Sequence, residues 1–243
     1  MNYKDELFKS YVTTHTGKRK GVIDLKKLHY SSIAFRQHFK KFLPEKKTAK
    51  VADLGCGTGA LVWWLHQEGF YNATGIDVSI EQVDQARSMG IDNISLENVF
   101  EFIDKETNFD LLFARDLIEH FENQTLYDFL IKCNSALSTQ GKLVLQIPNA
   151  ESPYFGRIRY GDFTHELAFT SSSITQLLAA TGFTKINVYP WRPVIVGLKS
   201  FLRYILWRLM EALLKLPVFV ESGKSNTIVT MNIIVEASKS MKV

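Results

Sequence analysis

The chain has 243 residues, of which 46% are hydrophobic and 12% aromatic, and its formal net charge is +4. This length and composition supply the core of one domain with additions, which excludes a disordered chain as the default. The charge is mild and no nucleic-acid-binding module accompanies it, so no nucleic acid is expected as a partner.

Residues 1–44 are predicted to form a polar N-terminal segment that ends in a helix. Ser31 or Ser32 is suited to begin this helix, which runs to about Leu43 and ends at Pro44. Basic runs crowd the first fifth of the chain. They predict either a solvated face or a surface for an anionic substrate or membrane, and they stand at 18–20, 26–27, 40–41 and 46–47.

Residues 45–243 are predicted to form one domain in which strands and helices alternate. The predicted strands are 51–54, 73–77, 94–96, 109–114 and 142–147, and the predicted helices are 59–68, 79–89 and 123–137. The second of these helices begins with the capping-box residues Ser79 and Gln82. Alternation at this spacing predicts a parallel sheet with helices on both faces.

The alternation stops after Pro148. Residues 150–167 predict a polar and aromatic loop that contacts substrate. A helix at 172–180 and a strand at 185–189 are expected to follow. The β-rich run 226–237 is suited to a last, antiparallel strand, which is uncommon in doubly wound dehydrogenases.

Residues 193–217 predict a separate amphipathic helix. Charged residues interrupt every apolar run well before the roughly eighteen residues that a membrane-spanning helix needs. Apolar side chains fall on one face of the helix, and Trp207 lies on the polar side. Two interpretations stay open for residues 198–216: packing against the domain or a second subunit, or contact with a membrane surface.

The most specific pattern is residues 51–59, VADLGCGTG. An apolar run leads to Asp53, and small residues then alternate with Gly55, Gly57 and Gly59. Such glycines are needed where the chain turns with positive φ angles or where a ligand comes close to the backbone. The stretch therefore predicts a strand-to-helix turn that binds a nucleoside.

Asp77 ends the predicted second strand, about twenty residues after the glycine turn. An acid in this position can accept hydrogen bonds from both hydroxyls of a ribose. NAD enzymes use the same arrangement, and the glycines also fit their relaxed fingerprint. The residues alone therefore predict a nucleoside cofactor without naming it.

Several stretches together resemble the class I S-adenosylmethionine-dependent methyltransferases. They are motif I at 51–59, the strand and its continuation at 109–121 (FDLLFARDLIEHF), and the turn at 137–143 (LSTQGKL). The turn departs from the usual L-K-P-G-G-x-L by Ser, Thr and Gln. The resemblance covers residues 48–190. It implies a Rossmann-like, doubly wound sheet of seven strands with the last strand antiparallel, and S-adenosylmethionine as the cofactor.

The resemblance also implies a role for individual residues. Asp53 would orient the cofactor, and the glycine turn with Cys56 would shape the methionine side of the pocket. Asp77 would hold the ribose, and the neighbouring Val78 would also contact the cofactor. The adenine would be flanked by Asn98 and Val99, and the pocket floor would be closed by Ala114 and Arg115.

Candidate general bases are few. His165 lies in the loop 161–166 (GDFTHE), together with Asp162 and Glu166, and is the first candidate. His120 follows the fourth strand and is the second. A structural hydrogen-bond network in the loop, or a packing role for His120, stays open.

Residues 148–153 (PNAESP) and 161–166 resemble a bacterial branch of these enzymes associated with cell-surface polysaccharide and O-antigen biosynthesis. The resemblance implies a sugar hydroxyl of a glycan or its precursor as acceptor. A quinone-like phenol or a lipid stays open, as does a non-catalytic binding module. The segment that contains Tyr11, Thr13, Thr14 and His15 is a candidate lid over the site.

Cys56 and Cys133 are the two cysteines, and their spacing suits neither a disulfide framework nor a metal site. His15, His29, His38 and His66 also lack metal-ligand spacing, so no metal is predicted. No secretory leader is expected from the sequence pattern. A cytoplasmic location is expected, with peripheral contact at the inner face of the membrane as the alternative.

Overall fold

The computed structural model describes residues 3–11, 13, 25–223 and 225–239, and a seven-stranded sheet organises them. The strands are β1 (Val51–Leu54), β2 (Thr74–Asp77), β3 (Ile94–Leu96), β4 (Phe109–Arg115), β5 (Leu137–Pro148), β6 (Phe183–Pro190) and β7 (Asn232–Lys239). Their order is β3-β2-β1-β4-β5-β7-β6. β7 lies antiparallel between β5 and β6, and the remaining pairs are parallel. The predicted doubly wound, Rossmann-like sheet with an antiparallel last strand is confirmed.

Helices lie on both faces of this sheet. They are α1 (Tyr3–Lys9), α2 (Leu25–Phe39), α3 (Ala60–Gln67), α4 (Ile80–Ser88), α5 (Val99–Lys105), α6 (Asn123–Ala136), α7 (Phe155–Arg159), α8 (Ser171–Ala180) and α9 (Leu198–Ser222). Short 3-10 turns occupy Lys40–Phe42 and Ile118–His120. Thr14, His15 and the basic run 18–20 lie outside the described residues.

Strand β4 shows how the core is divided. Leu111 and Phe113 pack on one face with side chains of α2 and α3. Leu112 and Ala114 pack on the other face with side chains of α5, α6 and α8. Alternate side chains of a strand point to opposite faces, so a strand with apolar residues at consecutive positions is buried on both.

Several predicted boundaries need correction. Helix α2 begins at Leu25 rather than at Ser31, and α5 and α7 had no counterpart in the sequence analysis. The expected capping box at α4 is absent among the described contacts, because the Ser79 side chain accepts no hydrogen bond there. The carboxylate of Asp77 instead accepts the Ser79 N–H at 2.8 Å.

Parallel pairing brings the carboxyl ends of β1, β2 and β4 to one edge of the sheet. Asp53 pairs in register with Gly75 of β2 and with Phe113 of β4. The turn after β1 therefore lies beside the end of β2 and the segment that follows β4. In a doubly wound sheet, ligands bind at this edge, next to the point where the strand order reverses.

The turn between β1 and α3 has a backbone that only glycine adopts easily. The φ angles of Gly55, Gly57 and Gly59 are 71°, 55° and 74°. At Gly59, an added Cβ would also lie 2.2 Å from Ile94 Cδ1 and 3.1 Å from Ile91 Cγ2. Both isoleucines are buried, so they have little room to move away.

We predict that Gly59→Ala lowers the free energy of unfolding more than Gly90→Ala does. Both positions have a φ of 74°, but no atom of the described residues lies within 4 Å of an added Cβ at Gly90. Both variants carry the backbone penalty of about 1–2 kcal/mol, and overpacking adds about 1–3 kcal/mol at position 59 alone. Urea unfolding measures the difference, and equal losses would contradict the steric explanation.

Candidate cofactor and acceptor site

A cleft of about 400 Å³ opens at the carboxyl edge of the sheet. Five of the residues predicted to bind the cofactor line it: Gly55, Asp77, Val78, Asn98 and Val99. These residues come from the turn after β1, the end of β2 and the start of α5. The parallel register brings these three chain segments together.

Asp77 is the most firmly placed residue of the cleft. It is 7% exposed, and its two carboxylate oxygens accept the N–H groups of Gly57 and Ser79, each at 2.8 Å. Burial raises the pKa of this carboxyl, while the backbone N–H donors act in the opposite direction. Each oxygen keeps a second lone pair, which is what two ribose hydroxyls require.

Asp53 has no such partners. It is 1% exposed, and neither of its oxygens has a hydrogen bond among the described residues. Burial raises the pKa of its carboxyl to about 7, because the charged form loses its hydration. An orphaned, buried carboxylate beside a glycine turn fits the ammonium group of the methionine portion of S-adenosylmethionine.

Asn98 caps the N-terminus of α5. Its side-chain oxygen accepts the Phe100 N–H at 2.9 Å. This fixes the amide so that its NH₂ group stays available as a donor. Asn98 and the neighbouring Val99 both line the cleft, and Val99 is buried.

The other predicted cofactor residues lie outside the lining. The thiol of Cys56 packs toward Gly75, and burial raises its pKa well above the ordinary value. Ala114 is fully buried in β4. The guanidinium of Arg115 lies 4.5 Å from the ring centre of Phe35, on the α2 side. Two residues that sequence reasoning did not select, Asp116 and Leu117, line the cleft in their place.

Two histidines meet at the far end of the cleft. The rings of His120 and His165 are 4.7 Å apart, and His120 lines the cleft. Burial, and secondarily the neighbouring His165, lower the pKa of His120 to about 4. The predicted candidates for the base therefore lie side by side, with His120 nearer to the cofactor-binding residues.

Hydrogen bonds determine which nitrogen of each ring carries the proton. The single hydroxyl proton of Thr164 goes to Asp162 at 2.7 Å, so the 2.8 Å contact between Thr164 and Nδ1 of His120 has the nitrogen as donor. Nδ1 of His165 donates to the carbonyl of Ile158 at 3.0 Å. Since a neutral imidazole carries one N–H, both Nε2 atoms are left as acceptors.

Acidic side chains surround this pair. Asp116 lines the cleft, and Asp162 is 6% exposed. Glu119 is 1% exposed, and its carboxylate has no hydrogen bond among the described residues. Burial and the charge of Asp116 raise the pKa of Glu119 well above its ordinary value. At this end of the cleft, Asp116 and His120 offer acceptors to a ligand and Lys4 offers a donor.

Helix α1 covers the cleft from outside. Lys4 and Phe8 line it, together with Tyr11 just after the helix. Glu166 holds the helix, since it accepts a 2.8 Å hydrogen bond from Tyr3 and forms a 3.1 Å ion pair with Lys4. These contacts, and the hydrogen bond from Tyr11 to Asp162, hold α1 over the cleft. They give Glu166 an anchoring position at the surface.

One ligand atom from each of His120, Asp162 and His165 lies within 4.8 Å of the others, a set that could also surround a metal ion. The sequence analysis predicted no metal and did not find this group. Asp162 and His165 belong to one loop, but His120 lies on another segment that only the tertiary fold brings near.

The fold and the cleft define the class of the protein. They are those of the class I S-adenosylmethionine-dependent methyltransferases. A family model described as "Methyltransferase domain" matches residues 28–188, which is more than half of the chain. The chain belongs to this family.

Individual relatives are more distant. Pavine N-methyltransferase of Thalictrum flavum subsp. glaucum is 34% identical over 110 residues, 42% of this chain and 30% of that protein. Ubiquinone biosynthesis O-methyltransferase of Rickettsia bellii is 24% identical over 132 residues, 53% of this chain and 48% of that protein. The chain thus matches less than half the length of either relative.

A solved structure shares the fold over nearly the whole chain. The crystal structure of a SAM-dependent methyltransferase from Archaeoglobus fulgidus matches with a TM-score of 0.65 and 17% sequence identity. The match covers 98% of this chain and 100% of that one. At this identity the likeness shows the fold alone.

We predict that Asp53→Asn reduces the pH dependence of stability in the cofactor-free protein. The folded-state pKa of about 7 lies above the ordinary value of 3.8, so the unfolded state ionises first as the pH rises. The carboxyl therefore destabilises the fold by an amount that grows from near zero at pH 4 to about 4 kcal/mol at pH 8. Urea unfolding at both pH values measures this. The exposed Asp92→Asn is the control, and an unchanged pH slope in Asp53→Asn would contradict the prediction.

Proposed function

We propose that this protein transfers a methyl group from S-adenosylmethionine to a hydroxyl group, most directly one of a glycan or its activated precursor. The observation that carries the proposal is His120 in the cleft wall, with Nε2 unprotonated and His165 directly behind it. A hydroxyl acceptor needs a group that takes its proton, and this pair supplies one beside a cofactor cleft.

The chain's own residues suit each part of the cofactor. Asp77 offers two oxygens to the ribose hydroxyls, and the orphaned carboxylate of Asp53 offers a counter-charge to the ammonium group. The Asn98 amide and the apolar Val99 flank the space for the adenine ring of the cofactor. S-adenosylmethionine supplies an electrophilic methyl group, which needs little further activation by the protein.

The protein contributes positioning and proton uptake at the acceptor. Alignment of a nucleophile within a dry cleft supplies several kcal/mol of barrier reduction, and α1 closes this cleft against water. Nε2 of His120 accepts the hydroxyl proton, while Thr164 holds the other ring nitrogen at 2.8 Å. Asp162 in turn accepts from Thr164 and keeps the ring in this orientation.

Acceptor-rich walls favour a polyhydroxylated acceptor over an anionic one. Asp116 and Nε2 of His120 line the cleft and can accept hydrogen bonds from neighbouring hydroxyls. The carboxylates of Asp116 and Asp162 disfavour a phosphate or carboxylate next to the reacting group. The resemblance of residues 161–166 to polysaccharide-modifying enzymes agrees with this preference. A phosphate elsewhere in an activated sugar would have to lie away from these acids.

A phenol is the second candidate. Phe8, Phe100 and Phe121 line the cleft and offer flat apolar surfaces to an aromatic ring. The similarity to the ubiquinone biosynthesis O-methyltransferase over 132 residues supports it. The same base serves both acceptor types, so an acceptor panel separates them.

We predict micromolar-range binding of S-adenosylmethionine and S-adenosylhomocysteine by calorimetry, with no binding of NAD. Asp77→Ala removes the acceptors for the ribose and weakens binding at least tenfold, or about 1.4 kcal/mol. Asp84→Ala, an exposed acid on α4, leaves affinity unchanged. A thermal melt confirms that each variant is folded. A folded wild type that binds neither sulfur nucleoside would contradict the proposed cofactor.

We predict that His120→Gln lowers kcat for methyl transfer by about 10²–10⁴-fold, because the acceptor proton loses its base. Its affinity for S-adenosylmethionine stays within about twofold of the wild type. Production of S-adenosylhomocysteine is followed with glycosides, nucleotide sugars and catechols as acceptors.

His165→Gln and the exposed His29→Gln complete this series. We expect a smaller loss for His165→Gln and none for His29→Gln. The same assay is repeated with a metal chelator. Activity that depends on proton uptake by His120 is unchanged by the chelator, whereas activity that depends on a metal held by His120, Asp162 and His165 is lost. Full kcat in His120→Gln would refute the assigned base, and cofactor binding without turnover on any acceptor would favour a binding module.

A further inference from the structure

Helix α9 turns its apolar side away from the protein. Eleven large apolar side chains along it are between 43% and 76% exposed: Leu198, Phe201, Leu202, Ile205, Leu206, Leu209, Met210, Leu213, Leu216, Phe219 and Val220. At 3.6 residues per turn they cover roughly half of the helix circumference. We call this set the outward stripe.

The opposite, polar side of α9 holds the helix to the domain. Glu211 is 2% exposed. Its carboxylate accepts hydrogen bonds from Arg192 at 3.0 and 3.1 Å and forms ion pairs with Arg208 at 3.1 Å and Lys215 at 3.2 Å. Trp207 lies on the same side and is half-buried. The charged contacts therefore fix the rotation of the helix and keep the outward stripe exposed.

The exposed charged side chains that border the outward stripe are basic. Lys199 and Arg203 are exposed at one edge and Arg208 at the other. Within Leu198–Val220 the one acid is Glu211, which is buried and paired. The first exposed acid is Glu221, in the last turn. An apolar face bordered by cations complements a surface with an apolar interior and anionic groups at its boundary.

The width of the outward stripe favours a flat partner surface over a second helix. Two helices that pair as in a coiled coil bury a narrow seam, about two positions in seven. Pairing of α9 with a second copy would leave Phe201 and Met210, at the two edges, outside the seam. A lipid surface covers the whole half-cylinder at once. No helix among the described residues is long and apolar enough to cross a membrane.

We propose that α9 lies in the interface of an anionic lipid bilayer, with the outward stripe among the acyl chains and its bordering cations at the headgroups. The inference is independent of the acceptor and of the catalytic histidines. Amphipathic helices of this kind enter about 5–10 Å into the headgroup and acyl boundary. Basic residues near an anionic surface strengthen this binding.

Flotation of the full chain with vesicles tests the proposal. We expect binding to vesicles of 30% phosphatidylglycerol in phosphatidylcholine, and at least tenfold weaker binding of Leu209→Glu/Leu213→Glu. Both positions are more than 60% exposed, so the fold tolerates them. Tyr127→Glu/Ile131→Glu introduces the same charges at the same spacing on exposed positions of α6, and it should bind like the wild type.

A second pair of variants tests the charged border. Lys199→Gln/Arg203→Gln should weaken binding to the anionic vesicles severalfold and leave binding to pure phosphatidylcholine unchanged. Calorimetry with S-adenosylmethionine on every variant confirms an intact domain, so loss of lipid binding is separable from loss of cofactor binding.

Two results would overturn the proposal. One is a folded wild type that floats with neither vesicle. The other is a dimer in analytical ultracentrifugation that vesicles do not dissociate and that Leu209→Glu/Leu213→Glu disrupts. That result would assign the outward stripe to a second copy of the chain.

Discussion

The hydrogen bond from the Gly57 N–H to the Asp77 carboxylate, at 2.8 Å, is the contact on which the cleft depends. It ties the turn after β1 to the end of β2, across two strands that the parallel register already holds side by side. The turn can reach Asp77 because its glycines accept positive φ angles. A carboxylate held by two backbone N–H groups is rigid, and a rigid acceptor loses little entropy when a ligand binds.

Two buried carboxyl groups next to the cleft, those of Asp53 and Glu119, lack hydrogen-bond partners among the described residues. Burial of a carboxyl group without a partner lowers the free energy of unfolding of the cofactor-free protein. Packing of the hydrophobic core around the sheet must offset this loss. The two acids differ in what they fit: Asp53 lies beside the glycine turn, and Glu119 lies next to the paired histidines. A ligand that donates a hydrogen bond or carries a positive charge would therefore satisfy a different carboxyl group at each of the two places.

Local patterns in the sequence predicted the sheet well and the site only in part. The bounds of β1 and β3 agree with the structure, because short apolar runs between turn residues have few alternatives. Strand β5 begins at Leu137, which pairs with Phe109, rather than at position 142. The register then passes directly to Lys142, which pairs with Leu111, so residues 138–141 form an irregular stretch with turn-like side chains. The pairing of His120 with Thr164, which lie 44 positions apart, leaves no periodic signal. Nor could periodicity show that α9 faces outward, because an amphipathic pattern is the same whichever side meets the domain.

Helix α9 is oriented so that its apolar side is exposed to solvent and the carboxylate of Glu211 is buried. Turning the helix by half a revolution would bury its apolar side chains, at about 25 cal/mol for each Å² removed from water, and would return Glu211 to solvent. A buried ion pair offers little net stability in exchange, because desolvation of the charges offsets most of their attraction. The ion pairs of Glu211 with Arg192, Arg208 and Lys215 nevertheless hold the helix in the observed orientation. In the proposed location at a lipid surface, acyl chains would cover the exposed face, and the hydrophobic effect would then favour the same orientation that the ion pairs hold in water.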